Sequence, residues 1–190
     1  MAHSAGLVLV IALTTAACQQ QSVSDTTPQP TQAELIARGQ YLVTIGVCND
    51  CHTPFKMGPN GPEPDMTRML SGHPETNQLP PPPSLPPGWG YTGSADNTAW
   101  AGPWGISYTA NLTPDQNTGI GIWDEAMFIK TIRNGRHMGE GRPLLPPMPW
   151  PWYAKMTDDD LRAIFAYLKS IPPISNRVPD PVIHEPPAAP

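Results

Sequence analysis

The sequence has few cysteines, few charges and no long apolar segment. With three cysteines in 190 residues, no second cysteine pair exists to complete a four-ligand zinc site. Charged residues make up only 14 % of the chain, and the formal net charge is −5. This balance argues against nucleic acid as a partner. The apolar run near the N-terminus, from about residue 5 to residue 13, is too short to span a bilayer.

That apolar run has the pattern of a secretory signal. It leads into small residues and Cys18, and the sequence "TTAAC" resembles the lipoprotein box in which the cysteine is acylated after cleavage. Thr15 stands where leucine is usual, and no basic residue precedes the run. A plain signal peptide cut near Ala17, with Cys18 incidental, is the alternative. In both cases we expect residues 1–18 to direct export to the periplasmic side of a bacterial membrane, with Cys18 as the candidate lipid anchor.

Three helices are predicted from local signals. Residues 19–30 are polar and read as a flexible tether. Thr31 and Glu34 then have capping-box spacing, so a first helix begins there. Gly39 lies beside the apolar stripe of this helix, although glycine costs roughly 1 kcal/mol in a helix. We therefore expect another helix to cross closely at Gly39.

The other two helices lie in the second half of the chain. Residues 124–134 predict one, with Asp124 as N-cap and Gly135 as the stop. The last begins at Thr157, has three aspartates in its first turn, and ends before Pro172. No strand pattern is evident, so the predicted fold class is mainly α.

Residues 58–105 form a proline- and glycine-rich insertion without helical or strand periodicity. Proline fixes φ and removes a hydrogen-bond donor, so regular structure is not expected there. The segment also carries four large aromatic residues, which are unusual for a disordered linker: Trp89, Tyr91, Trp100 and Trp104. We expect an ordered insertion that these aromatics hold against the domain.

The stretch "GVCNDCHTP" places Cys48, Cys51 and His52 within five residues. A disulfide across two residues would be strained, and a redox dithiol usually follows a strand, which is absent here. Haem attachment accounts for all three side chains, because two thioethers fix the macrocycle and the adjacent histidine binds the iron. A porphyrin would also fill the space that three helices leave. The motif therefore predicts one covalent haem c.

The sixth iron ligand decides between electron transfer and small-molecule binding. The candidates are the methionines and the remaining histidines: Met57, Met66, Met69, Met127, Met138, Met148, Met156, His73, His137 and His184. Met148 is favoured because Pro147 and Pro149 stiffen its loop. A gap-filling role in the core is its alternative. Met156 and residues 136–138 are the second-choice candidates for the sixth ligand, and His137 is expected at the surface.

Three stretches in this order resemble class I c-type cytochromes, especially the single-haem proteins and modules that serve bacterial dehydrogenases. They are "ARGQYLVTIGVCNDCHTP", "NLTPDQNTGIGIWDEAMFIKTIRNGRH" and "PLLPPMPWPWYAKMTDDDLRAIFAYLKSIPP", followed by "SNRVP". Together they cover about half of the chain. The resemblance implies a cytochrome c-like domain over residues 31–175, with a proline-rich tail at 176–190.

The resemblance also implies roles for individual residues. Cys48 and Cys51 would carry the thioethers, His52 would be the proximal ligand and Met148 the distal ligand. In the crossing of the first and last helices, Gly39 and Tyr41 would meet Phe165 and Tyr167.

The expected function is that of a one-electron carrier and not of an enzyme. It would take electrons from an exported or membrane dehydrogenase and pass them to an oxidase or another cytochrome, touching the membrane only through a lipid on Cys18. Two alternatives stay open. The protein is a subunit docked to one dehydrogenase through the aromatic insertion, or a haem enzyme or gas sensor with an open sixth site. The last would need polar groups near the iron, for which Arg133, Arg136 and His137 are the candidates.

Overall fold

The computed structural model describes residue 1 and residues 29–183. The predicted signal at 1–18, the lipid site Cys18, nearly all of the tether and the end of the tail lie outside the described residues. Within the described part, no helix combines the length and the apolar character needed to cross a bilayer.

The helices, numbered in chain order, are α1 (Gln32–Ile45), α2 (Cys48–His52), α3 (Glu125–Asn134), α4 (Trp150–Tyr153) and α5 (Asp158–Ser170). The strands are β1 (Phe55–Gly58), β2 (Gly61–Pro64), β3 (Thr92–Gly93), β4 (Ala99–Gly102), β5 (Gly105–Tyr108) and β6 (Val182–Ile183). The long helices begin where predicted, and α3 and α5 also end as predicted, because each helix is capped by nearby residues. The Thr31–Glu34 capping box is formed, and the Asp124 and Thr157 side chains accept from the third residue of α3 and α5.

Helices α1 and α5 cross at Gly39, as predicted. A Cβ atom at this position would lie 1.9 Å from the carbonyl oxygen of Ala163 and 2.7 Å from the Cβ of Tyr167. Only a residue without a side chain allows this approach. Tyr41, the other α1 residue assigned to the crossing, is 54 % exposed, and its ring lies beneath the guanidinium of Arg38.

The expectation that the chain contains no strands is wrong. Strands β3, β4, β5 and β6 form an antiparallel sheet in that order, and β1 and β2 form a separate hairpin. The register pairs Ala99 with Tyr108 and Gly105 with Ile183. Helices make up 33 % of the structure, so a mainly α class is not confirmed. Each strand has two to four residues, too few for a periodic signal in the sequence.

The aromatic residues of segment 58–105 divide into two groups. Trp100 is buried, so it holds the segment to the domain, whereas the ring of Trp104 lies against Gly102 of the same segment. Trp89 and Tyr91 are 71 % and 52 % exposed. The second pair therefore presents an aromatic surface to solvent.

The helical core lies between α1, α3 and α5. Its buried side chains include Val43, Phe128, Leu161, Phe165 and Leu168, and the two phenylalanine rings stack at 5.4 Å between centroids. After α5 the chain continues along the domain to β6, so residues 176–183 pack against it. These elements surround a central cavity.

The crossing at Gly39 yields a stability prediction. Gly39→Ala should lower the free energy of unfolding by about 1–3 kcal/mol, because the clash with Ala163 outweighs the gain of roughly 1 kcal/mol in helix propensity. Thermal unfolding of the haem-loaded protein measures the effect. Gly90→Ala is the matched control, since no atom lies within 4 Å of the added methyl. Equal melting temperatures for the two variants would contradict the close crossing.

Candidate functional site

A cavity of about 510 Å³ lies beside α2. Its walls come from α2, the chain after β5, α3, the loop before α4, and residues 177–181. Apolar side chains on the wall include Val47, Trp100, Leu112, Ile120, Trp123, Phe128, Ile132 and Leu145. Both the size and the apolar lining are those of a site for a bulky organic ligand.

Helix α2 brings the motif cysteines and His52 to this cavity. Cys48 and Cys51 are unpaired, half-buried, and both line the wall. Val47 precedes the helix with φ 50° and ψ 32°, a left-handed conformation that β-branched residues rarely adopt. The Tyr153 hydroxyl donates to the Gly46 carbonyl at 2.6 Å and secures the turn between α1 and α2.

His52 is buried, and its orientation is fixed by one hydrogen bond. Its Nδ1–H donates to the carbonyl oxygen of Ala110 at 2.8 Å. This assigns the proton to Nδ1 and leaves Nε2 as a lone-pair donor. Burial lowers the pKa of His52, while the Ala110 carbonyl acts in the opposite direction. The imidazole is therefore kept neutral, the form that binds a metal.

The two thiols do not resemble a redox pair. Burial raises the pKa of Cys48 to about 11, and burial followed by the charge of Asp50 raises the pKa of Cys51. Reactive dithiols need a lowered pKa to form the thiolate at neutral pH. Within residues 29–183, no cluster of three histidine, cysteine or acidic side chains could hold a bare metal ion. The redox-dithiol and zinc interpretations both lose support.

Among the candidates for a sixth ligand, Met148 lines the cavity. Met57 and Met66 are 77 % and 56 % exposed. Met156 packs against the helical core, and the same is true of Met69. His73 is fully buried, with its ring nitrogens bonded to the Thr98 hydroxyl at 2.8 Å and the Asn77 carbonyl at 3.0 Å. His73 is therefore occupied by protein groups.

His137 is not the surface residue that the sequence suggested. It is half-buried, lines the cavity and meets Trp123 edge-on with ring centroids 5.4 Å apart. Burial and the nearby Arg142 lower the pKa of His137, and Asp180 opposes them. The helix stop at Gly135 turns the chain back toward the cavity, which local sequence signals do not reveal.

The arginines proposed for a polar site lie elsewhere. Arg133 pairs with Asp158 and donates to the carbonyl of Ala154, and Arg136 donates to the Gly141 carbonyl at 3.0 Å. Neither lines the cavity, whereas Arg142 and Arg177 do. Of the three polar candidates named from the sequence, only His137 is at the cavity.

The residues of the cavity fit a covalently attached haem. Two unpaired cysteines on one short helix, a neutral buried imidazole and a thioether line the same apolar space. This donor set matches the ligands of haem c, where cysteines form thioethers and histidine and methionine bind the iron. The fold and the site together define a small haem-binding domain.

Comparison with known protein families agrees with this class. The family model for cytochrome c matches residues 36–172, and the chain belongs to the cytochrome c family. Membership implies one covalently bound haem c with its iron.

Several curated proteins are similar in sequence. The gluconate 2-dehydrogenase cytochrome c subunit of Pantoea cypripedii is 32 % identical over 133 residues, which are 70 % of this chain and 22 % of that protein. The cytochrome c subunit of the quinone alcohol dehydrogenase of Gluconobacter oxydans is 29 % identical over 155 residues, or 80 % of this chain and 25 % of that protein. The fructose dehydrogenase cytochrome subunit of Gluconobacter japonicus is 28 % identical over 145 residues, which are 76 % of this chain and 23 % of that protein. The chain thus spans about a quarter of the length of these relatives.

The hydroxyl of Tyr153 yields a prediction about the turn before α2. Tyr153→Phe should lower the free energy of unfolding by about 1 kcal/mol, because the Gly46 carbonyl loses its donor. Chemical denaturation of the haem-loaded protein measures this. Tyr167→Phe is the control, since the Tyr167 hydroxyl has no hydrogen-bond partner within residues 29–183. If the two variants are equally stable, the Tyr153 bond does not support the turn.

Proposed function

We propose that the protein is a one-electron carrier with a haem ligated by His52 and Met148. The observation that carries the proposal is the shared cavity: Cys48, Cys51, His52 and Met148 all line it. An iron with both axial positions filled exchanges electrons without binding substrate. When bound, the haem supplies the reversible change of oxidation state, and the chain supplies attachment, orientation and exclusion of water.

Each residue of the site has a separate task in this proposal. Cys48 and Cys51 hold the cofactor through thioethers. His52 offers Nε2, and its bond to Ala110 keeps the ring in one orientation. Met148 offers its sulfur from the proline-rich loop before α4. Histidine–methionine ligation raises the potential relative to other ligand sets, which suits a carrier that accepts electrons from a dehydrogenase.

A second candidate function is that of a subunit docked to one dehydrogenase. The similar proteins are named as dehydrogenase cytochrome subunits, which favours a dehydrogenase as the electron donor. The exposed rings of Trp89 and Tyr91 give a docking surface of the type enriched at protein interfaces. An oxidase or another cytochrome would accept the electrons.

An open-site enzyme or gas sensor is the least supported function. It requires that Met148 not bind the iron, although Met148 lines the cavity. Export to the periplasmic side, with or without acylation of Cys18, remains part of the proposal because haem c is assembled outside the cytoplasm.

The ligand assignment is tested by absorption spectroscopy. Oxidised protein expressed with haem c maturation machinery should show the weak red-edge band of sulfur-to-iron charge transfer. Met148→Ala should abolish the band, and Met57→Ala should retain it because Met57 is 77 % exposed. A wild-type protein that lacks the band and readily binds carbon monoxide would overturn the carrier function.

The docking candidate is tested by gel filtration of native extract. We expect the cytochrome to co-migrate with a large flavin- or molybdenum-containing dehydrogenase. The double substitution W89A/Y91A should release it as a small protein, because both rings are exposed on the insertion. Trp152→Ala is the control, as Trp152 is 68 % exposed on α4. Elution of the wild type as a single small protein, below 20.6 kDa once the signal is removed, would exclude a stable complex.

A further inference from the structure

The chain after α5 runs across the haem cavity. We call residues 174–183 the C-terminal strap. Residues 177–181 line the cavity, and β6 pairs with β5 at the far end of the strap. The strap is mostly exposed on its outer side, so it separates part of the cavity from solvent with a single layer of chain.

One buried side chain secures the near end of the strap. Asn176 is 1 % exposed, and its Nδ2 donates to the carbonyls of Ser71 at 2.7 Å and His73 at 2.9 Å. Its Oδ1 accepts from the backbone N–H of Glu75 at 2.9 Å. Both amide protons and the amide oxygen are thus used, which is the full pairing that a buried amide requires.

Neighbouring bonds reinforce the same attachment. The backbone N–H of Asn176 donates to the Thr118 hydroxyl at 3.0 Å, and that of Arg177 donates to the Glu75 carboxylate at 2.9 Å. Asn111 donates from Nδ2 to the carbonyl of Ile174 at 2.8 Å. Asn111 also stands next to Ala110, which holds His52. The strap and the histidine are therefore supported by adjoining parts of the chain.

We propose that Asn176 is a positioning residue that holds the C-terminal strap over the cavity and thereby raises the reduction potential of the haem. The proposal rests on the placement of the haem in this cavity given above. The oxidised cofactor carries one more positive charge than the reduced cofactor, so water near it favours oxidation. Residues that exclude water from the haem shift the redox equilibrium toward its reduced form.

The test is a spectroelectrochemical titration of Asn176→Ala after haem loading. We expect the equilibrium constant for one-electron reduction to fall about three- to tenfold, where tenfold corresponds to 59 mV. The sulfur-to-iron band should be retained, because Met148 belongs to a different loop. Asn77→Ala is the matched control, since the Asn77 amide donates to Asp96 at 2.7 Å and makes no hydrogen bond to the strap within residues 29–183. Its potential should equal that of the wild type.

An unchanged potential in folded Asn176→Ala would overturn the proposal. If this variant does not load haem, Asn176→Ser keeps a small neutral polar group and carries the same expectation. Hydrogen exchange of the loaded wild type gives an independent answer: the backbone amides of Ile174, Asn176 and Arg177 should exchange slowly because each donates to a side chain, and rapid exchange at all three would refute the strap. A wild type that takes up no haem would contradict the proposed function itself. Failure of the proposed function can therefore be told apart from failure of the proposal for Asn176.

Discussion

A cavity of about 510 Å³ is the constraint on which the rest of the structure depends. Its walls carry large apolar side chains, among them Trp100, Phe128 and Ile132. Water cannot offer these side chains the contacts that an apolar group offers. A bulky apolar group between the helices therefore suits this space, and membership of the cytochrome c family implies a covalently bound haem.

Local signals predicted the three long helices, but not the short α2 and α4, because a helix end depends on residues within about four positions. Thr31, Asp124 and Thr157 cap the helices that their sequences indicated. The sheet could not be predicted in the same way. Its strands are short, and the pairing of Gly105 with Ile183 joins residues far apart in sequence. Such pairing depends on the folded path of the chain and leaves no periodic pattern.

The sequence best predicted those site residues that are neighbours along the chain. Cys48, Cys51 and His52 form one motif, and all three line the same cavity as Met148. The group that accepts the hydrogen bond from His52 is the backbone carbonyl of Ala110, and the sequence gives no sign of this role because no side chain is involved. Asn176 had a visible signal, since it lies in the quoted stretch "SNRVP", but its role depends on Ser71 and His73 a hundred residues away.

Short polar side chains explain how a chain with little regular structure surrounds the cavity. Irregular backbone leaves amide and carbonyl groups without partners, and burying them unpaired is costly. Here Asn111 and Thr113 satisfy the carbonyl and the N–H of Ile174 in the strap, and Asn176 of the strap donates to the Ser71 carbonyl. Asn97 donates to the Asp50 carbonyl beside the motif cysteines. These side-chain hydrogen bonds take the place of the backbone hydrogen bonds that a larger sheet would form, and they add no charged groups. A chain with few charges and many prolines can therefore still form an ordered wall around the cavity. The haem that this wall surrounds changes its own charge by one on reduction.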